Sequence, residues 1–213
     1  MTGMTAARSP LSSADRPQPG LRERKKIKTR EAIRVATYAL IREQGYDATT
    51  IEQIADRAEV SPSTVFRYFP TKEDIVLTDE YDPLMLEELR ARPAAEPWTD
   101  SVRHVMHRAI DAMMAEDAEV ARMRAHLAVQ VPAVRSRMIE SMSETGRLLR
   151  TALAERFALA PDGLEVRVCA TALVAGLMEA TMSWAENGFT DDLRALLDRA
   201  LDVLEHGLPA GKP

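Results

Sequence analysis

Apolar residues recur at three- and four-residue intervals along most of this chain, the spacing of amphipathic helices. The pattern predicts a first helix over about Arg22 to Gln44. Ile27, Ile33, Ala36, Tyr38, Leu40 and Ile41 lie mostly inward, and Gly45 serves as the C-cap. Two short helices follow. Ile51, Ile54, Ala55 and Ala58 form one apolar face behind Thr49, which is placed to cap the helix with Glu52 as the reciprocal acid. Glu59 and Val60 make a turn. Ser61 is an N-cap, and Pro62 suits the first helical position, where its missing N–H costs nothing. Val65 and Phe69, four apart, turn inward, which leaves Ser61, Ser63, Thr64, Arg67 and Tyr68 facing out. Thr71 caps the next helix with Asp74 as its partner. That helix is expected to start at Lys72 and run towards Arg90, with Pro83 imposing a kink or break near Asp82.

Pro93 and Pro97 mark a loop, and five more helices are predicted beyond it. One runs from Thr99 to about Glu116 and a short one from about Ala118 to Val129. Pro132 opens a long helix to about Phe157, and Pro161 opens another to about Glu186, closed by Asn187 and Gly188. Thr190 is expected to cap the last, whose apolar stripe is Leu193, Leu196, Leu197, Leu201 and Leu204. Residues 1 to about 20 are rich in Pro, Ser, Thr and Gly and are expected to be a disordered tail.

The pair of short helices has the form of a helix-turn-helix. The first helix braces the second, and the N-terminal residues of the second face the major groove. Short side chains such as Ser63 and Thr64 allow close approach. Thr64 can bond a base edge or touch a thymine methyl, and Arg67 can reach guanine or phosphate. Tyr68 and Lys72 are better placed for phosphate. The candidate DNA-contacting set is Lys25, Lys28, Thr49, Thr50, Ser61, Pro62, Ser63, Thr64, Phe66, Arg67, Tyr68 and Lys72.

Charge changes this picture by its distribution. The 213 residues carry a net charge of −5, unusual for a DNA binder taken as a whole. Yet residues 1–72 hold 13 Lys/Arg against 8 Asp/Glu, and Leu21 to Arg34 alone holds 7 against 2. A basic head on an acidic body fits a DNA-reading module joined to a domain that does not bind DNA. No apolar run of about 18 residues is apparent, so no transmembrane helix is expected. No apolar leader segment is seen, and the single Cys169 fits a reducing cytoplasm. GxGxxG, P-loop and GxSxG patterns are absent, so neither an enzyme nor a cofactor is indicated. His104 and His107 are three apart, with His126 further on, but no Cys or HExxH joins them and no metal site is assigned.

From Val60, Ser61 and Thr64 through Phe66, Tyr68 and Phe69 to Lys72, the head resembles the tetracycline-repressor (TetR) family over about residues 27 to 87. Two positions depart from it. Phe66 stands where many members carry Tyr, and Glu59 stands where Gly is frequent, at a cost of about 1–2 kcal/mol if that turn is left-handed. The resemblance implies an all-α fold of about nine helices: a three-helix helix-turn-helix domain at 21–72 and a larger ligand-sensing and dimerisation domain at 73–213. It implies that the last two helices pair with a second copy, through Leu173, Leu177, Met178, Trp184, Leu197 and Leu201. Gly176 and Ala175 permit a close helix crossing there. The C-terminal half also resembles members that bind acyl-CoA-like ligands.

Methionine adapts to irregular volumes, and six fall between residues 106 and 142. A candidate apolar pocket is drawn from Met106, Ile110, Met113, Met114, Met123, His126, Leu127, Met138 and Met142, with Arg103, Arg122 or Arg124 available to an anionic headgroup. The leading reading is a ligand-released repressor that binds a palindromic DNA operator as a homodimer. An activator, or a helical adaptor without DNA function, is the alternative.

Overall fold

The computed structural model describes residues 20–77 and 82–208, with residues 82–84 described in backbone only. The expected N-terminal tail therefore lies outside the described residues, apart from Gly20. Regular structure among the described residues is entirely helical: α1 (Leu21–Gln44), α2 (Ile51–Arg57), α3 (Pro62–Tyr68), α4 (Lys72–Leu77), α5 (Asp82–Ala91), α6 (Trp98–Gln130), α7 (Pro132–Phe157), α8 (Leu164–Glu186) and α9 (Leu193–His206). Contacts divide them into two units. One holds residues 20–77 and 117–141, the other 82–116 and 142–208.

In the first unit, Ile33 and Leu40 of α1 pack with Ile54 and Ala55 of α2, Val65 of α3, Phe69 and Ile75. Burying each larger aliphatic or aromatic side chain is worth about 1.5–3 kcal/mol, so this small cluster holds the short helices in place. Helices as short as α2 and α3 are not stable alone. Thr37, which the helical pattern did not single out, is fully buried because its hydroxyl donates to the Ile33 carbonyl at 2.8 Å. Tyr38, also buried, donates to the Val76 carbonyl at 3.1 Å and ties α1 to α4. Ile27 is 42% exposed, which corrects its assignment to the core.

The single helix expected from Lys72 towards Arg90 is two helices, α4 and α5, with residues 78–81 outside the described set. Pro83 is the second residue of α5, in the first turn, where proline is tolerated. The break expected near Glu116 and Ala118 is a single non-helical residue, Asp117, at φ −160° and ψ 93°. Its carboxylate accepts the backbone N–H groups of Glu119 and Val120, both at 3.0 Å, and so caps the following turns.

In the second unit, α9 lies along α8 and covers one side of it. The α8 start is Leu164 with Gly163 as N-cap, three residues later than Pro161. The α9 cap is Asp192, whose side chain accepts the Arg194 N–H at 3.0 Å, rather than Thr190. Thr190 donates instead to the Asn187 carbonyl at 2.9 Å. By length and composition α8 is apolar enough to cross a membrane, contrary to the expectation that no such stretch exists. Here it buries Val166, Ala170, Leu173, Val174 and Trp184, as a core helix does.

Candidate DNA-binding surface

The α3 helix is built from its cap outward. The Ser61 hydroxyl accepts the Thr64 N–H at 3.2 Å and lies 2.9 Å from both the Ser63 and Thr64 hydroxyls. Pro62 occupies the first turn. Val65 and Phe69 are buried at 0% and 1% exposure, as their spacing predicts, and anchor the inner face. Ser61, Pro62, Ser63, Phe66 and Arg67 are exposed, and Thr64 and Tyr68 are half-buried. A hydroxyl-lined first turn therefore faces out from a helix whose other side is fixed in the core.

The turn before it is left-handed. Glu59 has φ 54°, the conformation for which glycine is favoured, and the next N–H, of Val60, reaches the Ala55 carbonyl at 2.9 Å. Ahead of α2 the cap differs from expectation by one residue. Thr50 is the N-cap, its hydroxyl accepting the Gln53 N–H while the Gln53 side chain accepts the Thr50 N–H. Thr49 is 1% exposed and donates to the Gly45 carbonyl at 2.8 Å, which corrects its placement as cap and as a DNA-facing residue.

Lys72 is committed within the head. Its ammonium donates to the Tyr46 carbonyl at 2.8 Å and the Thr49 carbonyl at 2.9 Å, and lies 3.9 Å from the centre of the Tyr46 ring. Burial lowers its pKa, and burial together with Glu73 pushes the Tyr46 hydroxyl upward. The capping box of Thr71 and Asp74 forms as expected. The Asp74 carboxylate is also held by Arg137 of α7 at 2.6 Å, and Arg124 donates to the Leu77 carbonyl at 3.1 Å. Neither partner was legible in the sequence, since each lies more than forty residues away.

A cleft of about 610 Å³ opens between the first turns of α1 and the end of α3. Arg22, Lys25, Lys26, Arg30 and Arg67 line it, with Glu23, Ile27 and Tyr68. Lys25 was expected on this surface. Arg22, Lys26 and Arg30 were not, although their four-residue spacing places them on one stripe of α1. Lys28 is exposed on α1 and does not line the cleft.

The candidate pocket residues divide between the units. Met106, Ile110, Met113, Met114 and Met142 belong to one, and Met123, His126, Leu127 and Met138 to the other. His126 is exposed, while Ile110 and Leu127 are buried. His104 and His107 face different carboxylates, Glu88 at 3.6 Å and Asp198 at 2.9 Å. Of the expected dimer-facing residues, Leu173, Trp184, Leu197 and Leu201 are at most 3% exposed. All four are buried within the chain itself. Leu177 and Met178 are half-buried.

Comparison with known proteins agrees with this geometry. The model of the bacterial regulatory proteins, tetR family, matches residues 33–78, and that of the MftR C-terminal domain, a TetR-type module, matches residues 96–209, more than half of the chain. The HTH-type transcriptional regulator TcmR of Streptomyces glaucescens is 45% identical over 80 residues, 37% of this chain and 35% of that one. The fatty acid metabolism regulator protein of Bacillus subtilis is 24% identical over 183 residues, 81% of this chain and 92% of that one. Among solved structures, the Thermus thermophilus FadR, a TetR-family repressor in complex with lauroyl-CoA, superposes with a TM-score of 0.56 at 26% identity, over 86% of this chain and 97% of that one. With both its head and its C-terminal module matched, the chain belongs to the TetR family: it is a helix-turn-helix, DNA-binding transcriptional regulator and not an enzyme.

Proposed function

We propose that this regulator is a homodimeric repressor of a palindromic operator, released by an effector with a long apolar chain of the acyl-CoA type. The observation that carries the DNA half is the exposed first turn of α3, capped by Ser61 and fixed from behind by Val65 and Phe69. Two such helices related by a two-fold axis read half-sites about 34–36 Å apart, or a multiple of that. The outer side of α8, with Leu164 at 68% and Val168 at 57% exposure, is apolar surface that a second copy would cover.

The effector reading is supported by two things: the methionines of α6 and α7, and the likeness to a FadR that holds lauroyl-CoA. Release requires that the effector bind the DNA-free state more tightly than the DNA-bound one. Moving a population from 1:99 to 99:1 takes about 5.5 kcal/mol of that difference. The test is to load the regulator on labelled operator and titrate lauroyl-CoA, with free CoA as control. Loss of the complex with lauroyl-CoA alone is the expected result. A complex that survives acyl-CoA of every chain length would rule out this effector class and leave the DNA reading standing.

A further inference from the structure

We propose that Arg67 does not read bases but, with the basic stripe of α1, grips the sugar–phosphate backbone of one operator strand, leaving base discrimination to Ser63 and Thr64. This rests on the reading of α3 as the operator-facing helix. A helix-turn-helix presents the N-terminal residues of its second helix to base edges. Ser63 and Thr64 are in that first turn, whereas Arg67 is in the last. Arg67 instead lines the cleft shared with α1. Its guanidinium lies over the Tyr68 ring at 5.3 Å, and that of Arg30 lies over Phe69 at 4.9 Å. A guanidinium held on a ring has fewer orientations to lose, and its planar N–H edge suits a phosphate bidentately.

The rest of the cleft has the character of a backbone site. Arg22, Lys26 and Arg30 run along one face of α1 for about 12 Å, the axial length of three to four nucleotides of a strand. Five cations face one acid, Glu23, which pairs with Lys26 at 3.3 Å on the rim. Between the charges stand Ile27, 42% exposed, and the half-buried Tyr68, an apolar wall of the kind a deoxyribose packs against. The exposure of Ile27 then has a reason: it lies in the wall of the cleft and outside the core of the head.

The proposal separates two classes of variant by measurement. Fluorescence anisotropy on operator and on scrambled duplex, between 50 and 200 mM salt, gives affinity, specificity ratio and salt slope. Arg67→Gln and Lys26→Gln are each expected to weaken both duplexes by the same factor, with the ratio unchanged and the log–log salt slope reduced by about 0.9 per lost contact. Ser63→Ala and Thr64→Val are expected to weaken operator binding about 5- to 100-fold with scrambled binding and slope unchanged. Unchanged helicity by circular dichroism would show that each variant is folded. Arg67→Gln losing affinity for operator alone, at unchanged slope, would overturn the proposal, as would a slope that neither Gln variant alters. If the parent protein fails to prefer operator, the operator reading itself falls, and the slope on scrambled duplex still decides the backbone grip.

Discussion

Thr49 and Thr50 show how far single residues can be read. Either hydroxyl can cap a helix, and Glu52 and Gln53 offer a reciprocal partner in either register. Tertiary contacts choose. Burial of Thr49 against the Gly45 carbonyl, and the bond from the Gln44 amide to Gln53 at 2.8 Å, select Thr50. Ser61, with proline behind it and no competing hydroxyl in front, was read correctly because only one register was open. The partners of Lys72 were beyond such reading, because they are the carbonyls of Tyr46 and Thr49, more than twenty residues away. Single residues also set the response to acid. The Arg92 guanidinium and the Ser101 hydroxyl hold the Glu96 carboxyl at about 2, against an ordinary 4.5. A carboxylate whose folded pKa is depressed contributes its stability fully above the ordinary value and loses it as pH falls through the folded one. The thermal midpoint should therefore drop between about pH 4.5 and 2, and Glu96→Gln should flatten that part of the drop. An identical acid profile in the variant would remove Glu96 from the account.

Among elements, boundaries set by local chemistry were legible, while those set by packing were displaced. The α7 start at Pro132 and the α6 interruption at Asp117 follow from a proline and a capping carboxylate in the sequence itself. The α8 start shifted because Ala160 to Gly163 close a turn of their own, with the Gly163 N–H on the Ala160 carbonyl at 2.9 Å. The six-residue α4 is too short to hold itself, and two arginines support it. Arg137 binds Asp74 in its first turn and Arg124 binds the Leu77 carbonyl at its end. Arg137 is 39% exposed, so solvent screens the pair, and its loss should cost about 1 kcal/mol. Hydrogen exchange checks this directly. In Arg137→Gln the amides of Lys72 to Leu77 are expected to exchange roughly five- to tenfold faster, and protection equal to the parent would show that the pair supports nothing.

For the whole molecule, composition and charge asymmetry pointed to a basic head and a helical body, and the matches to both TetR modules agree. What the apolar pattern could not supply was the identity of the surface that covers each face. Leucine at helical spacing packs equally well on its own chain or on a second copy. Leu173, Leu197 and Leu201 are buried within the chain itself, while Leu164 and Val168 remain exposed on α8. Light scattering should give a dimer for the parent chain and a monomer for Val168→Glu, since a carboxylate in an apolar interface is uncompensated. A parent chain that stays monomeric at tens of micromolar would remove the dimer from the account.

The most direct test is binding of the purified regulator to labelled duplex from beside its own gene, read by anisotropy at low and moderate salt against a scrambled duplex. The account predicts tight, sequence-selective binding that weakens steeply as salt rises, because phosphate contacts release counterions. Negligible affinity for every duplex at low salt would contradict it.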